Sequence, residues 1–590
     1  MAGGRHRPRR SRVKAAGVAA LVVVTLGGVG YAGARWGYPA VTGGSCGSGA
    51  LQLHVTAAPD IAPALTKAAD QWNATKPHAG GECVRAVVTA VATGTVISDL
   101  TSAAPNPSGA SAAPSVGSLP PTDVWVPDSS AWIEQVKSVD STTFDNVTKP
   151  IASSPVVLAV PKASAATVGL TKNQISQKTF LSLIRQMRNS DLAALGGTAA
   201  PSKFQLGMAD PATDAAALAA ATLITGLDHA AQNGLPENAA LIADFRFISP
   251  VGQQSATAKD LLGSFVAKVD NVPPMTAAAV SEQATVAHNL ADPNNPLSPV
   301  YIDGFPLALD YPIATMADRS SAIGDAATAF GAAMASPDYR SNFAAAGFRG
   351  ADGTQGTPFP AVDGIANTAV ETAPLGYNDQ TQPSLRLWAG ANEEARVLTM
   401  VNLGSTMGTA TDGGGNRLQL TAESAIKGLG MFTPGSSVGV WGFAPGLGKN
   451  DYKEVVPIDV LGTNMPKVQA GFTAAKPAPI SGCGLYPALA SAYGMMRDGY
   501  SPGQLNTIVV FTDCADAPPG NTMNRSALEA TLSNMVDPSN SIGVIIINVG
   551  SPSIEKDLQG IASTVGGAAV TLTAPDQIVE IFMRSLVVLS

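Results

Sequence analysis

The chain has 590 residues; only 14% of them are charged, 45% are hydrophobic, and glycine (60) and proline (43) are abundant. This composition indicates an ordered, Ala/Gly-rich globular protein and excludes an intrinsically disordered one. Six of the 36 basic residues lie within the first fourteen positions, so the rest of the chain is acidic. An acidic body excludes nucleic acid as the expected ligand, and four cysteines exclude a disulfide-dense scaffold.

The N-terminal region predicts a membrane segment. Residues 1–14 form a basic tail, and residues 15–34 form an uncharged apolar run long enough to cross a bilayer as a helix. Because the basic flank comes first, the positive-inside rule places the N-terminus in the cytoplasm and the bulk of the chain outside. We therefore expect a single-pass protein of the cell membrane, with residues 35–45 as a linker.

Two processed forms are the alternatives to a retained signal anchor. The segment 32–34 reads Ala-Gly-Ala, which fits a signal-peptide cleavage site, and Arg9-Arg10 distantly resembles a twin-arginine signal. Lipidation at Cys46 is disfavoured because the three preceding residues lack an aliphatic side chain. The apolar run is longer than a usual signal core, which favours the uncleaved anchor.

Residues 46–360 alternate short apolar strands with Ala-rich helical stretches, a pattern typical of an α/β domain. A helix is expected directly after Asp60, and the Pro/Ser-rich stretch 106–121 predicts an exposed loop. Residues 361–395 are turn-rich and predict a second linker. Strands are predicted at 51–58, 84–91, the start of 122–133, and 154–161.

Residues 396–590 contain five strand-like runs, most of them continuously apolar: RVLTMVN, SVGVWGF, TIVVFTD, SIGVIIINV and AAVTLT. Continuous apolar strands separated by helical stretches predict a Rossmann-like, doubly wound and mainly parallel sheet covered on both faces. Ligands of such sheets bind at the carboxyl ends of the strands. These ends correspond to residues 402–407 and 512–516.

The loops at these strand ends resemble the metal-ion-dependent adhesion site (MIDAS) of von Willebrand factor A (VWA) domains. The stretch 402–407, Asn-Leu-Gly-Ser-Thr-Met, stands where the family has D-x-S-x-S, and Thr512-Asp513-Cys514 stands where it has T-D-G. Cys483 occupies the place of a threonine in a Gly-rich loop. In that family these positions hold Mg²⁺, whose open coordination site accepts a carboxylate from a partner protein.

The departures from the VWA motif predict a degenerate MIDAS without a cofactor. Asn402 replaces the acid, Gly404 the first serine and Cys483 the threonine, so only Thr406 and Asp513 retain ligand chemistry. Magnesium requires close to six oxygen ligands and is normally held by carboxylates. One carboxylate and one hydroxyl are too few to hold the ion. The surface formed by these strand-end loops nevertheless remains available to a protein partner.

The VWA resemblance also places Cys483 and Cys514 on neighbouring loops at the top of the sheet. In an oxidising compartment it therefore implies a disulfide between them, with two free buried cysteines as the alternative.

The region 46–356 resembles extracellular solute-binding proteins with the two-lobed, periplasmic-binding type II fold, particularly those that actinobacteria fuse to a VWA domain. Cys46 and Cys83 precede the first two strands, which a parallel sheet can place side by side, so we expect a second disulfide, with free thiols as the alternative. The stretches that carry this resemblance are 123–130, 154–161, 207–211, 281–283 and 346–349.

In the type II fold the ligand lies between the lobes, at strand-end loops and helix N-termini. For each candidate residue named below, the alternative is that it only caps a helix and does not contact a ligand. Trp125 and Trp132 are interpreted as core residues in preference to residues that line the cleft. Glu282 either braces the hinge or forms an ion pair on the surface. The candidate cleft residues are Ala58, Asp60, Asp128, Ser129, Ser130, Asp210 and Thr213.

No motif supports catalysis. The G-x-S-x-G sequence at 435–439 enters a strand, and all five histidines precede its serine, Ser437. The glycine-containing stretch 446–450 lacks the spacing and the Ser/Thr of a phosphate loop. We therefore expect a membrane-anchored extracytoplasmic binding protein that is not an enzyme. Its VWA domain would contact an unknown protein partner and its other domain would act as scaffold or sensor; the alternative is a transport receptor for a small solute.

Overall fold

The computed structural model of the chain describes residues 49–102, 119–195, 200–227, 237–248, 257–266, 275–433, 435–515 and 523–575, with residues 577, 578 and 581. The predicted basic tail, the membrane segment at 15–34, the linker after it and Cys46 lie outside the described residues. Within the described part of the chain, none of the helices has both the length and the apolar character that crossing a bilayer requires.

The first domain alternates strands and helices, as the sequence pattern predicts. Its strands are β1 (Leu51–Ala57), β2 (His78–Ala79), β3 (Glu82–Ala90), β4 (Val124–Val126), β5 (Phe144–Val147), β6 (Ser154–Pro161), β7 (Gln174–Ser176), β8 (Leu206–Met208), β9 (Ala277–Ser281), β10 (Leu297–Asp303), β11 (Leu307–Leu309), β12 (Ala314–Met316) and β13 (Ala373–Pro374). Its helices are α1 (Ala62–Ala74), α2 (Thr93–Ser102), α3 (Ser130–Val139), α4 (Gln177–Leu195), α5 (Ala215–Gly226), α6 (Glu237–Phe247), α7 (Ala258–Gly263), α8 (Glu282–Ala291), α9 (Ser321–Met334) and α10 (Pro337–Ala345).

These strands form two sheets, one in each lobe. The sheet of lobe 1 has the order β2-β3-β1-β4-β12-β5, with β1 parallel to both β3 and β4 and with β12 antiparallel to its neighbours. In lobe 2, β6 lies antiparallel to β9, β10 and β11. The chain crosses between the lobes from β5 to β6 and again from β11 to β12, which creates a hinge with a cleft beside it.

The C-terminal domain is a doubly wound sheet. Its strands β14 (Ala395–Asn402), β15 (Ser437–Phe443), β16 (Tyr452–Val460), β17 (Leu505–Thr512), β18 (Gly543–Asn548) and β19 (Ala568–Thr571) have the order β16-β15-β14-β17-β18-β19. All neighbours are parallel except β16, which is antiparallel to β15. Alternate residues of β14 enter opposite cores, so Leu398 and Met400 pack on one face and Val397 and Val401 on the other.

Among the described residues, a connecting helix and five further α-helices belong to this half of the chain. The connecting helix is α11 (Thr381–Asn392), and α12 (Arg417–Leu429), α13 (Leu461–Thr473), α14 (Leu485–Asp498), α15 (Arg525–Ser533) and α16 (Glu555–Ser563) follow. Helices α12 and α13 cover one face of the sheet, whereas α14, α15 and α16 cover the other.

Two differences from the sequence-based expectations concern the C-terminal domain and its connection to the first domain. The edge strand β16 was not predicted, because most of its side chains are solvent-accessible and it contains a proline, so it lacks the continuous apolar character of its neighbours. The segment expected to be a linker, 361–395, ends in helix α11, whose Trp388 and Ala391 are buried against lobe 2. The connection between the domains is therefore packed over its last part.

Candidate functional site

The two lobes of the first domain are closed on each other at helix α5. Ala215, Ala216 and Leu218 at the start of this helix belong to the core of lobe 1, whereas Ala220 and Ile224 belong to the core of lobe 2. The helix can serve both cores because its run of alanines presents a small apolar surface on every side. The cleft therefore lies around the N-terminus of α5.

Asp128 joins the two lobes at this point. It follows β4 of lobe 1, and its Oδ1 accepts hydrogen bonds from Trp132 Nε1 at 2.7 Å and from Thr93 Oγ1 at 3.2 Å. Its Oδ2 accepts from the backbone N of Ala215, at the first turn of α5 in lobe 2, at 3.4 Å. Helix N-termini bind anions, so a carboxylate of the protein itself occupies the position that an anionic ligand would take.

Further carboxylates surround this contact. Asp60, after β1, accepts from the Ile61 backbone N at 2.8 Å and from the hydroxyl of Tyr311. Asp214 is the N-cap of α5 and accepts from the Ala217 N at 2.8 Å. Both residues are half-buried.

Asp310 lies on the crossing from β11 to β12 and attaches this part of the hinge to lobe 1. Its Oδ1 accepts from the backbone N of Ser130 at 2.7 Å, and its own backbone N donates to the carbonyl of Asp128 at 3.2 Å. These two bonds fix the start of helix α3 beside the crossing from β11 to β12. Burial raises the pKa of Asp310 to about 6.

The electrostatics of the cluster are dominated by burial and by mutual repulsion. Burial, followed by the charges of Asp60 and Asp214, raises the pKa of Asp128 to about 8. Burial also raises the pKa of Asp214 to about 6, with Asp60 and Asp210 adding to the shift, and burial raises the pKa of Asp60. The charged neighbours that act on Asp128 and Asp214 are carboxylates, so each carboxylate disfavours the ionised form of the others.

Only some of the residues predicted to line the cleft lie in the carboxylate cluster. Asp60 and Asp128 lie in the cluster, and Ser129 is the N-cap of α3, accepting from the Ala131 N at 3.2 Å. Asp210 instead stabilises its own turn through the Ala212 N at 3.0 Å. Ser130 contributes its backbone N and its side chain to Asp310. Ala58 and Thr213 do not contribute a side chain to the carboxylate cluster.

Sequence reasoning missed Asp214, Asp310 and Tyr311. Asp214 carried a usable signal, because an aspartate directly before an uninterrupted run of alanines is a strong helix N-cap. Asp310 and Tyr311 precede a short strand and carry no comparable pattern. Trp125 and Trp132 are fully buried, as their interpretation as core residues requires.

A buried ion pair lies at the other side of the hinge. Arg349 Nε and Nη2 donate to the two carboxylate oxygens of Glu282 at 2.7 and 2.9 Å, and neither side chain is exposed to solvent. The backbone of Arg349 pairs with Ser153, on the crossing from β5 to β6. Of the two roles considered for Glu282, the structure therefore favours bracing the hinge.

At the strand ends of the C-terminal domain, Asp513 is held by the protein itself. Its Oδ1 accepts from Asn402 Nδ2 at 2.8 Å and from Thr406 Oγ1 at 3.1 Å, while its Oδ2 accepts from Arg417 Nη1 at 2.7 Å. Asn402 Oδ1 in turn accepts from the Gly404 N at 2.8 Å. The guanidinium of Arg417, which sequence reasoning missed, thus supplies positive charge beside the single carboxylate.

The predicted disulfide between Cys483 and Cys514 is present, with their Cα atoms 5.9 Å apart. It joins the loop before α14 to the loop after β17, beside Asp513, and Asn402 Nδ2 lies 3.4 Å from Cys514 Sγ. Cys83 is also disulfide-bonded. Among the described residues, no group of three or more His, Cys, Asp or Glu side chains is arranged to hold a metal ion.

Two α/β lobes, joined by repeated crossings and closed around a cleft at a helix N-terminus, define a two-lobed binding protein. The sequence profile of the bacterial extracellular solute-binding proteins matches residues 53–349, half of the chain, and the chain belongs to this family. Family membership agrees with the extracytoplasmic position predicted for this domain, whereas the membrane anchor remains a prediction.

Over most of its length the chain is similar to two curated relatives, described as uncharacterized proteins of Mycobacterium tuberculosis strains CDC 1551 / Oshkosh and ATCC 25618 / H37Rv. Each is 25% identical over 548 residues, which covers 89% of this chain and 74% of the relative. Among solved structures, a periplasmic thiamin binding protein is similar over 59% of this chain and 98% of its own, with 11% identity and a TM-score of 0.39. A von Willebrand factor type A structure from Catenulispora acidiphila is similar over 33% of this chain and 42% of its own, with 11% identity and a TM-score of 0.26.

Proposed function

We propose that the protein is an extracytoplasmic solute receptor whose cleft binds a small organic cation. The observation that carries this proposal is the convergence of Asp60 and Asp128 from lobe 1 with Asp214 from lobe 2, all of which repel one another. Buried charges are stable when an opposite charge pairs with them. An ammonium or guanidinium group between the lobes would supply that charge and donate hydrogen bonds to both lobes.

Binding requires the cleft to open. In the closed state, Asp128 is bonded to the N-terminus of α5, so a solute gains access only when the contact between Asp128 and the Ala215 N is broken. Cations are favoured over anions because an anion would meet the carboxylates of both lobes. The expected function is binding, with no catalytic step.

The test is isothermal titration calorimetry of the full chain with putrescine, arginine and choline as cationic probes and with glutamate, phosphate and glucose as comparisons. We expect saturable binding of at least one cation, weakened in Asp128→Asn and Asp214→Asn. Asp70→Asn, an exposed aspartate on α1, is the matched control and should leave binding unchanged. Binding confined to an anion or to glucose would contradict the proposal, as would cation binding that both cleft variants retain.

A second role is proposed for the C-terminal domain, which resembles VWA domains in its motif positions and has their doubly wound architecture. We propose that its strand-end face contacts a protein partner without a metal ion, while residues 15–34 anchor the chain in the membrane. The pairing of Arg417 with Asp513 supports a metal-independent contact, because the carboxylate is already neutralised.

This second role is tested with a photo-cross-linking residue on intact cells. It would replace Ser405, which is exposed at the strand-end face, and, as a control, Asp498 at the end of α14. A specific adduct at Ser405 that forms equally with and without EDTA is expected. An adduct that EDTA abolishes, or equal adducts at both positions, would contradict it.

A further inference from the structure

The segment between the two domains, residues 375–392, contacts both lobes of the first domain; we call it the strap. Its first part lies on helix α3 of lobe 1. Leu375 is buried in the core of lobe 1, and its carbonyl accepts from Ser130 Oγ at 3.4 Å. The backbone N of Tyr377 donates to Glu134 Oε2 at 2.6 Å.

The second part of the strap, helix α11, lies on lobe 2. It packs against helices α5 and α6, and the ring of Trp388 meets Phe245 of α6 edge-on, with centroids 5.9 Å apart. Trp388 and Ala391 are both buried in the core of lobe 2. The strap therefore passes from one lobe to the other and ends at β14 of the C-terminal domain.

A buried arginine joins the C-terminal domain to the same lobe. Arg246 of α6 donates from Nε to the carbonyl of Met431 at 2.8 Å and from Nη1 to the carbonyl of Ala391 at 3.4 Å. Both carbonyls lie near helix C-termini, where partial negative charge favours a cation. Met431 belongs to the core cluster of lobe 2, although it lies in the C-terminal domain.

We propose that the strap is a built-in latch that holds the cleft closed, and that the C-terminal domain moves with lobe 2 when the latch is released. Opening separates α3 from α5 and α6, so the strap must detach from one of the lobes. Its attachment to lobe 1 consists of the buried Leu375, the partly buried Tyr377 and Leu385, and two hydrogen bonds. Its attachment to lobe 2 is larger: Trp388 and Ala391 are buried, α11 packs along both α5 and α6, and Arg246 adds two hydrogen bonds. Detachment therefore occurs at lobe 1. The inference rests on the closed lobes and not on the nature of any solute.

The experiment measures distances between spin labels in the full chain without added solute. Labels enter through Lys67→Cys in lobe 1 and Lys178→Cys in lobe 2, both exposed positions, and none of the cysteines among the described residues is free to react with the label. Double electron–electron resonance should give one short distance in the otherwise unchanged chain. In Leu375→Ala combined with Glu134→Ala, a longer distance should appear, with the open-to-closed ratio rising roughly tenfold from the lost packing and hydrogen bond.

Glu134→Ala alone, a change of an exposed side chain, should shift the ratio in the same direction by less, which keeps the test valid if the double variant folds poorly. Lys137→Ala, one turn further along α3, is the matched control and should change nothing. A second label pair, Lys178→Cys with Lys476→Cys in the C-terminal domain, should keep its distance in every variant. An unchanged cleft distance in folded Glu134→Ala and double variants, or a change confined to the second pair, would overturn the proposal.

Discussion

Nη1 of Arg417 lies 2.7 Å from Oδ2 of Asp513, and the side chain of Asp513 is fully buried while that of Arg417 is 24% exposed. An intramolecular cation thus stands beside the one acid that the VWA-like motif retains. Because Asn402 and Thr406 donate to the other oxygen of Asp513, the lone pairs that would coordinate a metal are engaged in hydrogen bonds.

This relationship predicts that the C-terminal domain does not bind Mg²⁺ or Mn²⁺. Titration calorimetry of the full chain should show no saturable heat for either ion, and the melting temperature should be the same with EDTA and with excess Mg²⁺. Arg417→Ala should not create a site, since one carboxylate and one hydroxyl still fall short of octahedral coordination. Saturable binding that disappears in Asp513→Ala would show that the site is functional.

The disulfide at the same face should contribute measurably to stability. Cys483 and Cys514 are separated by 31 positions, and closing a loop of that size in the unfolded chain stabilises the native state by about 3 to 4 kcal/mol in the chain-entropy model. Cys483→Ser combined with Cys514→Ser should lower the free energy of unfolding of the C-terminal domain by that order, measured in urea. Ser405→Ala, an exposed change on the same face, serves as control. An unchanged midpoint in the double variant would contradict the prediction.

The strands were predictable because burial on both faces leaves continuous apolar runs, as in Gly543–Asn548. The order of those strands was not predicted, since pairing depends on contacts far apart in the sequence. The antiparallel edge strand Tyr452–Val460 escaped prediction because charged residues and a proline interrupt its apolar run, which an edge strand with mostly exposed side chains tolerates.

The candidate sites were predictable only in part, for the same physical reason. Asp128 was identified as a strand-end residue, but its contact with Ala215 depends on a helix that begins 87 positions later. Arg417 lies 96 positions from Asp513, at the first position of helix α12. Local sequence patterns report caps and strand ends, whereas the partner of a charged group is set by the tertiary fold.

The buried pair of Glu282 and Arg349 should be essential for the stability of the hinge. Arg349→Met leaves the Glu282 carboxylate buried without its cation, which typically costs about 3 to 5 kcal/mol. Adding Glu282→Gln should recover part of this loss, because the uncompensated charge is removed. The exposed pair of Lys162 and Asp363 is the control, and Lys162→Ala should cost less than about 1 kcal/mol. Equal losses in Arg349→Met and Lys162→Ala, measured by urea unfolding, would contradict this assignment.

The cleft carboxylates should make the first domain less stable as the pH rises. In the folded state the pKa of Asp128 is about 8 and that of Asp214 about 6, against 3.8 for an unperturbed aspartate. The native state therefore holds more protons than the unfolded state between about pH 4 and pH 8, so the free energy of unfolding falls across that interval.

Scanning calorimetry should accordingly show a lower melting temperature at about pH 8 than at about pH 5. Asp128→Asn removes the group that must lose its proton in this interval, so it should flatten the dependence and raise the melting temperature at the higher pH. Asp70→Asn, on the exposed side of α1, should leave the slope unchanged. If the slope persists in Asp128→Asn, the repulsion between the lobes does not control stability, and the carboxylates must separate or bind cations already in the free protein.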